Sequence, residues 1–191
     1  MRFKILLSAF VIAIATTAVH AQKYESTSVQ PATKKYKEVV FSSEKSLAEN
    51  LSLSEDFSYI SNVISDEQFA EDLSASEMIT VFVVRNKTFT DMPEEKRDSI
   101  VGNKSLMQSI LKLHVIPGRV DSYALEDGIQ RNNGTVYYTT LTKEKIGFRK
   151  QNGKVVMFDT ANNSAVLTDT DYLHSKGYFH IVEGVLFPLA K

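Results

Sequence analysis

The chain has 191 residues, of which 43% are hydrophobic and 24% are charged, and these values exclude a mainly disordered or fibrous protein. With 22 basic residues against 23 acidic ones, the formal net charge is −1, which argues against nucleic-acid binding because neutralising phosphates needs a clustered basic surface. The complete lack of cysteine excludes disulfide bonds, thiolate metal sites and cysteine nucleophiles.

The first 21 residues have the pattern of a secretory signal peptide. Arg2 and Lys4 precede the apolar run 5–15, and the small residues Val19 and Ala21 stand at the positions that signal peptidase recognises. The apolar run is much shorter than the roughly 20 residues that a membrane-spanning helix needs. We therefore predict cleavage after Ala21 and a secreted or periplasmic protein with no later membrane span.

Segment 22–44 is rich in Ser, Thr, Lys and Gln, and we predict a flexible, exposed leader with at most a short strand at 38–42. Its lysines could contact an anionic polysaccharide or lipid headgroup, although such residues more often only keep a leader solvated. These lysines are Lys34, Lys35 and Lys37. The remainder, 45–191, has the size of one domain.

Four helices are predicted in the first half of that domain, because each apolar pattern at helical spacing follows a residue favoured at helix N-termini. The residues that begin them are Asp56, Asp66, Pro93 and Asn103. The fourth helix has a broad apolar face and is expected to stop before Pro117 and Gly118. Between the second and third helices, the continuous apolar run 79–84 predicts a strand buried on both faces.

Strand and turn patterns fill the second half. Asn152 and Gly153 lie between two strand-like runs and give the strongest short-range signal for a β-hairpin. The predicted strands are 135–140, 145–150, 154–158, 164–168, 179–182 and 185–189. Helices followed by strands predict an α+β domain with antiparallel pairing rather than a parallel βαβ fold.

Three segments resemble, in order and separation, the signature motifs of the fasciclin-like domain family. They are TVFVVRNKTF at 80–89, LKLHVIPG at 111–118 and GYFHIVEGVLFP at 177–188. The resemblance covers about residues 45–189 and implies a wedge-shaped antiparallel β-sandwich with a helical layer. It also implies an exported adhesion module that binds receptors, matrix components or polysaccharides, with no typical catalytic activity and no cofactor. The motif residues expected to be structural are Asn86, Phe89, His114, Pro117, Gly118 and His180.

This chain departs from the family pattern at two places. Val83 and Val84 stand where family members usually carry Ala-Pro, and Leu113 replaces the tyrosine of the family's tyrosine–histidine motif. Apolar residues still fill these positions, so the fold is expected to tolerate the changes. Leu113 and His114 are a possible binding surface, but the loss of the tyrosine puts its adhesive role in doubt. Asn86 is expected to shape the turn after the buried strand, because Asn tolerates unusual backbone angles.

His114 is a candidate for either a binding surface or a structural role, and His180 is a candidate for a structural role. Each lies in an apolar pattern, which favours a buried histidine that holds backbone groups and joins helix to sheet. Asp169, Asp171 and His174 have metal-like spacing, but His174 stands at the sixth position, where a calcium loop requires glycine. We therefore predict a solvated turn there and no metal site.

The chain has no GxSxG elbow, no HExxH helix and no phosphate-binding glycine loop, so an enzyme is the least favoured function. We expect a binding module, monomeric, that recognises an extracellular or envelope protein or glycan. The alternative is a carrier of a small apolar ligand that uses a cleft beside the helical layer. An extended exposed patch would favour the module, and a deep apolar pocket would favour the carrier.

Overall fold

A computed structural model describes residues 30–189. The predicted signal peptide 1–21 lies outside the described residues. The helices are α1 Leu47–Leu51, α2 Ser58–Ile64, α3 Glu67–Ser74, α4 Asn86–Thr90, α5 Glu94–Val101, α6 Lys104–Leu113 and α7 Ser122–Arg131. The strands are β1 Thr33–Tyr36, β2 Val39–Ser42, β3 Ile79–Val84, β4 Val115–Pro117, β5 Thr135–Thr139, β6 Lys145–Gln151, β7 Lys154–Phe158, β8 Ser164–His174 and β9 Gly177–Gly184. None of the helices in this part of the chain is long and apolar enough to cross a membrane.

Seven of the strands form one sheet in the order β4-β3-β9-β8-β7-β6-β5. Its neighbours are antiparallel except β3 and β9, which run parallel over their whole paired length. The α+β fold class is confirmed, but the expectation of purely antiparallel pairing is wrong for this one pair. Every residue of β3 is buried, as parallel strands usually are, and such a uniform apolar run does not indicate the direction of its partner.

The short strand predicted at 38–42 is confirmed as β2, but the prediction of a flexible leader around it is wrong, because β1 and β2 form an antiparallel hairpin. The Tyr36 and Phe41 side chains are only 5% and 1% exposed. The Phe41 ring packs against Phe179 of β9 at 5.1 Å between centroids, and Tyr36 packs against Phe57 at 5.3 Å. The compact unit therefore begins at Pro31 rather than at residue 45. Composition concealed this, because two large aromatic side chains anchor an otherwise polar segment.

Two of the predicted helix starts have the expected cap. The side chain of Asp66 accepts a hydrogen bond from the Phe69 N–H at 3.1 Å, and that of Asn103 accepts one from Leu106 at 3.0 Å. Pro93 directly precedes α5. Asp56 instead lies within a short 3-10 turn, so its prediction as a cap is wrong; its carboxylate accepts a hydrogen bond from the Tyr36 hydroxyl at 2.7 Å.

Helix α7 was not predicted, although its start is capped by the Asp121 carboxylate, which accepts from the Ala124 N–H at 2.7 Å. Gly128 in its middle weakens the helical pattern. A Cβ at this position would lie 3.3 Å from a Val136 methyl carbon, so the glycine allows α7 to pack closely on β5.

The β6–β7 hairpin forms as predicted, with Asn152 and Gly153 both at positive φ, 52° and 75°. The final predicted strand, 185–189, is wrong because regular pairing ends at Gly184. Val185 and Leu186 are nevertheless buried, at 7% and 0% exposure, so this tail packs by its side chains instead.

Candidate functional site

His114 lies at the C-terminal end of α6 with a fully buried side chain. Its Nε2 accepts a hydrogen bond from the Leu186 N–H at 3.2 Å, so Nδ1 carries the proton and donates to the Ile110 carbonyl at 2.8 Å. Burial lowers the pKa of His114 to about 4, which keeps the ring neutral at pH 7. One ring nitrogen thus bonds to α6 and the other to the tail that follows β9, so the ring joins these two segments.

His180 in β9 has the same character. Its Nδ1 accepts from the Asp171 N–H at 3.2 Å, and its Nε2 donates to the Val120 carbonyl at 2.8 Å. Burial lowers the pKa of His180, and the ring stacks on Phe82 at 5.4 Å. His114 therefore joins α6 to the tail after β9, and His180 joins β9 to β8 and to the loop before α7, so the prediction that these histidines join helix to sheet is wrong in its partners.

The segment that leads from β4 into the first residue of α7, residues 118–122, is fixed to three strands; we call it the crossover segment. The Thr80 hydroxyl of β3 donates to the Gly118 carbonyl and accepts from the Val120 N–H, each at 2.9 Å. Gly118 has a φ of +99°, which a residue with a side chain rarely adopts. Ser122 donates to the Asp171 carboxylate through N–H at 2.7 Å and through its hydroxyl at 2.5 Å.

Ser122, Asp171 and His180 are the residue types of a hydrolytic triad, but they are not connected in its order. The Ser122 hydroxyl is bound to Asp171 rather than to the histidine, and both His180 nitrogens are occupied by backbone groups. Burial raises the pKa of Asp171, yet the hydrogen bonds from Ser122 and Thr170, together with the interaction with His180, hold the pKa below its usual value. The cluster holds the crossover segment and leaves Ser122 without a base.

The metal-like trio of Asp169, Asp171 and His174 lies within β8, so the predicted solvated turn is wrong. The ladder is irregular between Leu167 and Tyr172, and Asp171 within it has a positive φ of 58°. His174 is buried, and its Nδ1 accepts from the Lys176 N–H at 3.3 Å. Within residues 30–189, no group of three or more His, Asp or Glu side chains is arranged to hold a metal ion.

Leu113 and His114 were considered as a binding surface, and the structure contradicts this. Both are 0% exposed, because the last turn of α6 faces the core and β4 follows it immediately. Pro117 at the end of β4 is exposed.

Asn86 is the first residue of α4 and has an ordinary backbone conformation, so its predicted role in shaping a turn is wrong. Its side chain instead connects two elements: Oδ1 accepts from the Tyr59 N–H at 3.1 Å, and Nδ2 donates to the Glu55 carbonyl and to the Ser58 hydroxyl, both at 2.7 Å. Phe89 is fully buried and packs edge-on against Tyr59 at 5.9 Å.

A cleft of about 400 Å³ lies beside the helical layer. Its lining residues are Tyr59, Asn62, Val63, Ser65, Asp66, Val101, Lys104 and Met107. Asp66 and Lys104 form an ion pair at 2.6 Å within this lining. An apolar ligand would have to cover this pair and two other polar side chains, which disfavours the site as an apolar carrier pocket.

A row of residues across β5, β6 and β7 forms an exposed aromatic feature that the sequence analysis missed. Tyr137, Gly147 and Phe158 are directly opposite one another on the same face. The tip of the Phe158 ring occupies the space above Gly147, where a Cβ would lie 2.3 Å from Cζ. The Tyr137 ring meets Phe158 edge-on at 5.9 Å and is 58% exposed.

The same face carries unpaired positive charge. Residues 135–158 contain five basic residues and only one acidic residue, Glu144, whose carboxylate accepts from the Leu189 N–H at 3.3 Å. Strand alternation places three of the basic residues beside the rings: Lys145, Arg149 and Lys154. The Arg149 guanidinium lies 4.7 Å from the Phe158 ring centroid. None of the three forms an ion pair with any residue between 30 and 189.

We call Tyr137, Lys145, Gly147, Arg149, Lys154 and Phe158 the basic aromatic face. Lys150, next to Arg149, points to the opposite side of the sheet and pairs with Glu126 of α7 at 2.9 Å. The period-two alternation of basic and apolar residues in β6 is the sequence signal that could have revealed this face.

Comparison with known proteins gives a consistent family match. The Fasciclin domain family model matches residues 55–188. Human periostin is 25% identical over 153 residues, which cover 80% of this chain and 17% of periostin. Protein sll1483 of Synechocystis sp. is 27% identical over 136 residues, covering 70% of this chain and 68% of that protein. This chain therefore spans only a small part of periostin.

Among solved structures, a FAS1 domain pair from the insect cell adhesion molecule fasciclin I matches with a TM-score of 0.59. The match covers 84% of this chain and 67% of that chain, at 14% sequence identity. At this identity the likeness shows the fold alone.

Proposed function

The chain belongs to the fasciclin domain family, and we propose that it is an exported, non-enzymatic module that adheres to an extracellular or envelope protein or glycan. The observation that carries the proposal is the basic aromatic face, where exposed rings and unpaired cations lie together on one side of a sheet. Exposed aromatic and arginine side chains are typical of binding surfaces. The family match over residues 55–188 supports the same class of function.

The arrangement of the buried polar groups supports a module without catalytic activity. His114 and His180 use both ring nitrogens on backbone groups, so neither is free to move a proton for a substrate. The Ser122 hydroxyl donates to Asp171, which holds the crossover segment in place. These groups stabilise the fold and leave recognition to the surface.

Export is part of the proposal and depends on the predicted signal peptide 1–21. A core of buried apolar residues drawn from both sheets and the helices would hold the domain together outside the cell without disulfides. N-terminal sequencing of the exported protein tests this step: a start at Gln22 is expected, and retention of residues 1–21 would contradict it.

The test of the proposed function is a binding panel of immobilised polysaccharides and extracellular matrix proteins, probed with the purified chain. Saturable retention on at least one of these surfaces is expected, and the same chain denatured in urea should lose it. Silence across the whole panel, together with a lipid that co-purifies with the chain in mass spectrometry, would contradict the proposal and favour the carrier.

A further inference from the structure

We propose that the basic aromatic face binds a linear polysaccharide that carries carboxylate groups, a polyuronate. This inference rests on the proposed function and adds to it the place of binding and the chemical class of the ligand. It stands on three features of the described residues: the geometry of the rings, the positions of the cations and the lack of any ion pair between these cations and residues 30–189.

The rings form a stacking surface of the size of a sugar. The tip of the Phe158 ring lies above Gly147, in the space that a side chain at position 147 would otherwise fill. The centroid of the Tyr137 ring lies 5.9 Å from that of Phe158. The C–H bonds on one face of a pyranose carry a small positive charge and pack against the negative face of an aromatic ring. Tyr137 also offers a hydroxyl to the sugar hydroxyls at the edge of this surface.

The cations flank the rings along the strands. Lys145 and Arg149 lie two residues before and two residues after Gly147 on β6, so each is about 7 Å from the centre of the row. Lys154 extends the positive charge onto β7. A carboxylate on successive sugars would meet these cations on either side of the stacked ring, and arginine can hold a carboxylate through two parallel hydrogen bonds.

This face is positively charged, although the formal net charge of the whole chain is −1. Glu144, the one acidic residue of 135–158, is bound to the backbone of Leu189 instead of neutralising a neighbour. The face therefore retains a local positive potential that attracts a polyanion.

A glycan suits this face better than an acidic protein does. A stable protein interface buries about 800 Å² on each partner and has a desolvated apolar centre. Here the exposed apolar surface is limited to Tyr137 and part of Phe158, and solvated cations surround it. A narrow chain of sugars needs only the stacking row and the adjacent charges.

The chain offers matched controls for a test. Tyr123 on α7 is 77% exposed, more than Tyr137, and lies outside the face. Lys150 is the neighbour of Arg149 but is directed to the opposite side of the sheet, where it pairs with Glu126. Tyr123→Ser removes one exposed tyrosine ring and Lys150→Gln removes one positive charge, and neither change touches the face.

The experiment measures the dissociation constant of the full chain for polygalacturonate, with dextran as the neutral polymer and polyglutamate as the acidic polypeptide. Binding to polygalacturonate is expected to weaken about fivefold in Tyr137→Ser and at least about tenfold in the triple variant K145Q/R149Q/K154Q. Tyr123→Ser and Lys150→Gln are expected to stay within about twofold of the parent, since they leave the rings and the charges of the face unchanged. Dextran and polyglutamate should bind at least about tenfold more weakly. Thermal melting checks that every variant is folded.

Three results would overturn the inference. Equal affinity in the parent, in Tyr137→Ser and in the triple variant would place binding elsewhere while leaving the proposed function intact. Equal binding of polyglutamate, with no effect of Tyr137→Ser, would show that the face selects acidic polypeptides by charge alone. Absence of polygalacturonate binding from a chain that is retained on another member of the panel would also reject only this inference, whereas silence on both would reject the proposed function as well.

Discussion

The imidazole Nε2 of His114 accepts a hydrogen bond from the N–H of Leu186 at 3.2 Å, although 72 positions separate the two residues in sequence. This contact fastens the tail after β9 to the end of α6, and the second ring nitrogen completes the connection through Ile110. The histidine of the second family motif is therefore a buried structural residue of the domain.

Replacing this histidine should destabilise the fold strongly. His114→Ala leaves the Ile110 carbonyl and the Leu186 N–H without their partner and opens a cavity, so the free energy of unfolding should fall by about 3 kcal/mol. Urea denaturation measures this. Lys112→Ala on the same helix removes a partly exposed ion pair with Asp72 and a cation–π contact with Phe69, and should cost about 1 kcal/mol. Equal unfolding midpoints in the two variants would contradict the structural role of His114.

The buried histidines should make the domain sensitive to mild acid. Burial lowers the pKa of both His114 and His174 to about 4, whereas in the unfolded chain each titrates near 6.5. Between these values the unfolded state binds more protons than the folded state, so stability falls as the pH drops from 6.5 towards 4. The free energy of unfolding should be about 2 kcal/mol lower at pH 5 than at pH 7 for each of the two histidines.

Urea titrations at pH 7, 6 and 5 check this dependence. His174→Gln, which cannot be protonated, should show a clearly smaller pH dependence than the parent chain, because one of the buried titrating groups has been removed. Unfolding midpoints that do not change between pH 7 and pH 5 would show that these histidines are not buried as neutral rings.

Because the Thr80 hydroxyl attaches the crossover segment to β3, we expect Thr80→Val to loosen that segment in particular. The substitution keeps the side-chain shape but leaves the Gly118 carbonyl and the Val120 N–H unsatisfied, at a cost of about 1 to 3 kcal/mol. Hydrogen exchange at the Val120 amide should accelerate most. Thr90→Val, whose exposed hydroxyl bonds only within α4, should leave both stability and Val120 exchange nearly unchanged.

We expect the buried aromatic residues of the N-terminal hairpin to stabilise the folded domain. Phe41→Ala should lower the free energy of unfolding by about 3 to 5 kcal/mol, because the ring is 1% exposed. Val40→Ala, at a neighbouring position that is 50% exposed, should cost less than about 0.5 kcal/mol. Urea denaturation measures both variants. If Phe41→Ala and Val40→Ala each had the same free energy of unfolding as the parent chain, β1 and β2 would be the flexible leader that the composition suggests.

Sequence patterns predicted the features that depend on local chemistry. Asp66 and Asn103 cap helices because their side chains reach an N–H three residues ahead, and Asn152 with Gly153 forms the hairpin because both adopt positive φ. The family resemblance drawn from three short motifs is likewise confirmed by the match over 55–188.

Features set by distant contacts could not be found in this way. The parallel pairing of β3 with β9 joins strands nearly 100 residues apart, and nothing in a uniformly apolar strand specifies its neighbour. The burial of Leu113 and His114 depends on which side of α6 meets the sheet. The basic aromatic face required the register of three strands to bring Tyr137 and Phe158 into one row.

The most direct test of where this domain binds is an NMR titration of the 15N-labelled chain with a short oligogalacturonate. We expect the largest amide shifts in β5, β6 and β7, around Tyr137, Gly147 and Arg149, while Asn62 and Lys104 in the helical cleft stay unshifted. Shifts concentrated at the cleft, with β6 unaffected by saturating ligand, would contradict this expectation.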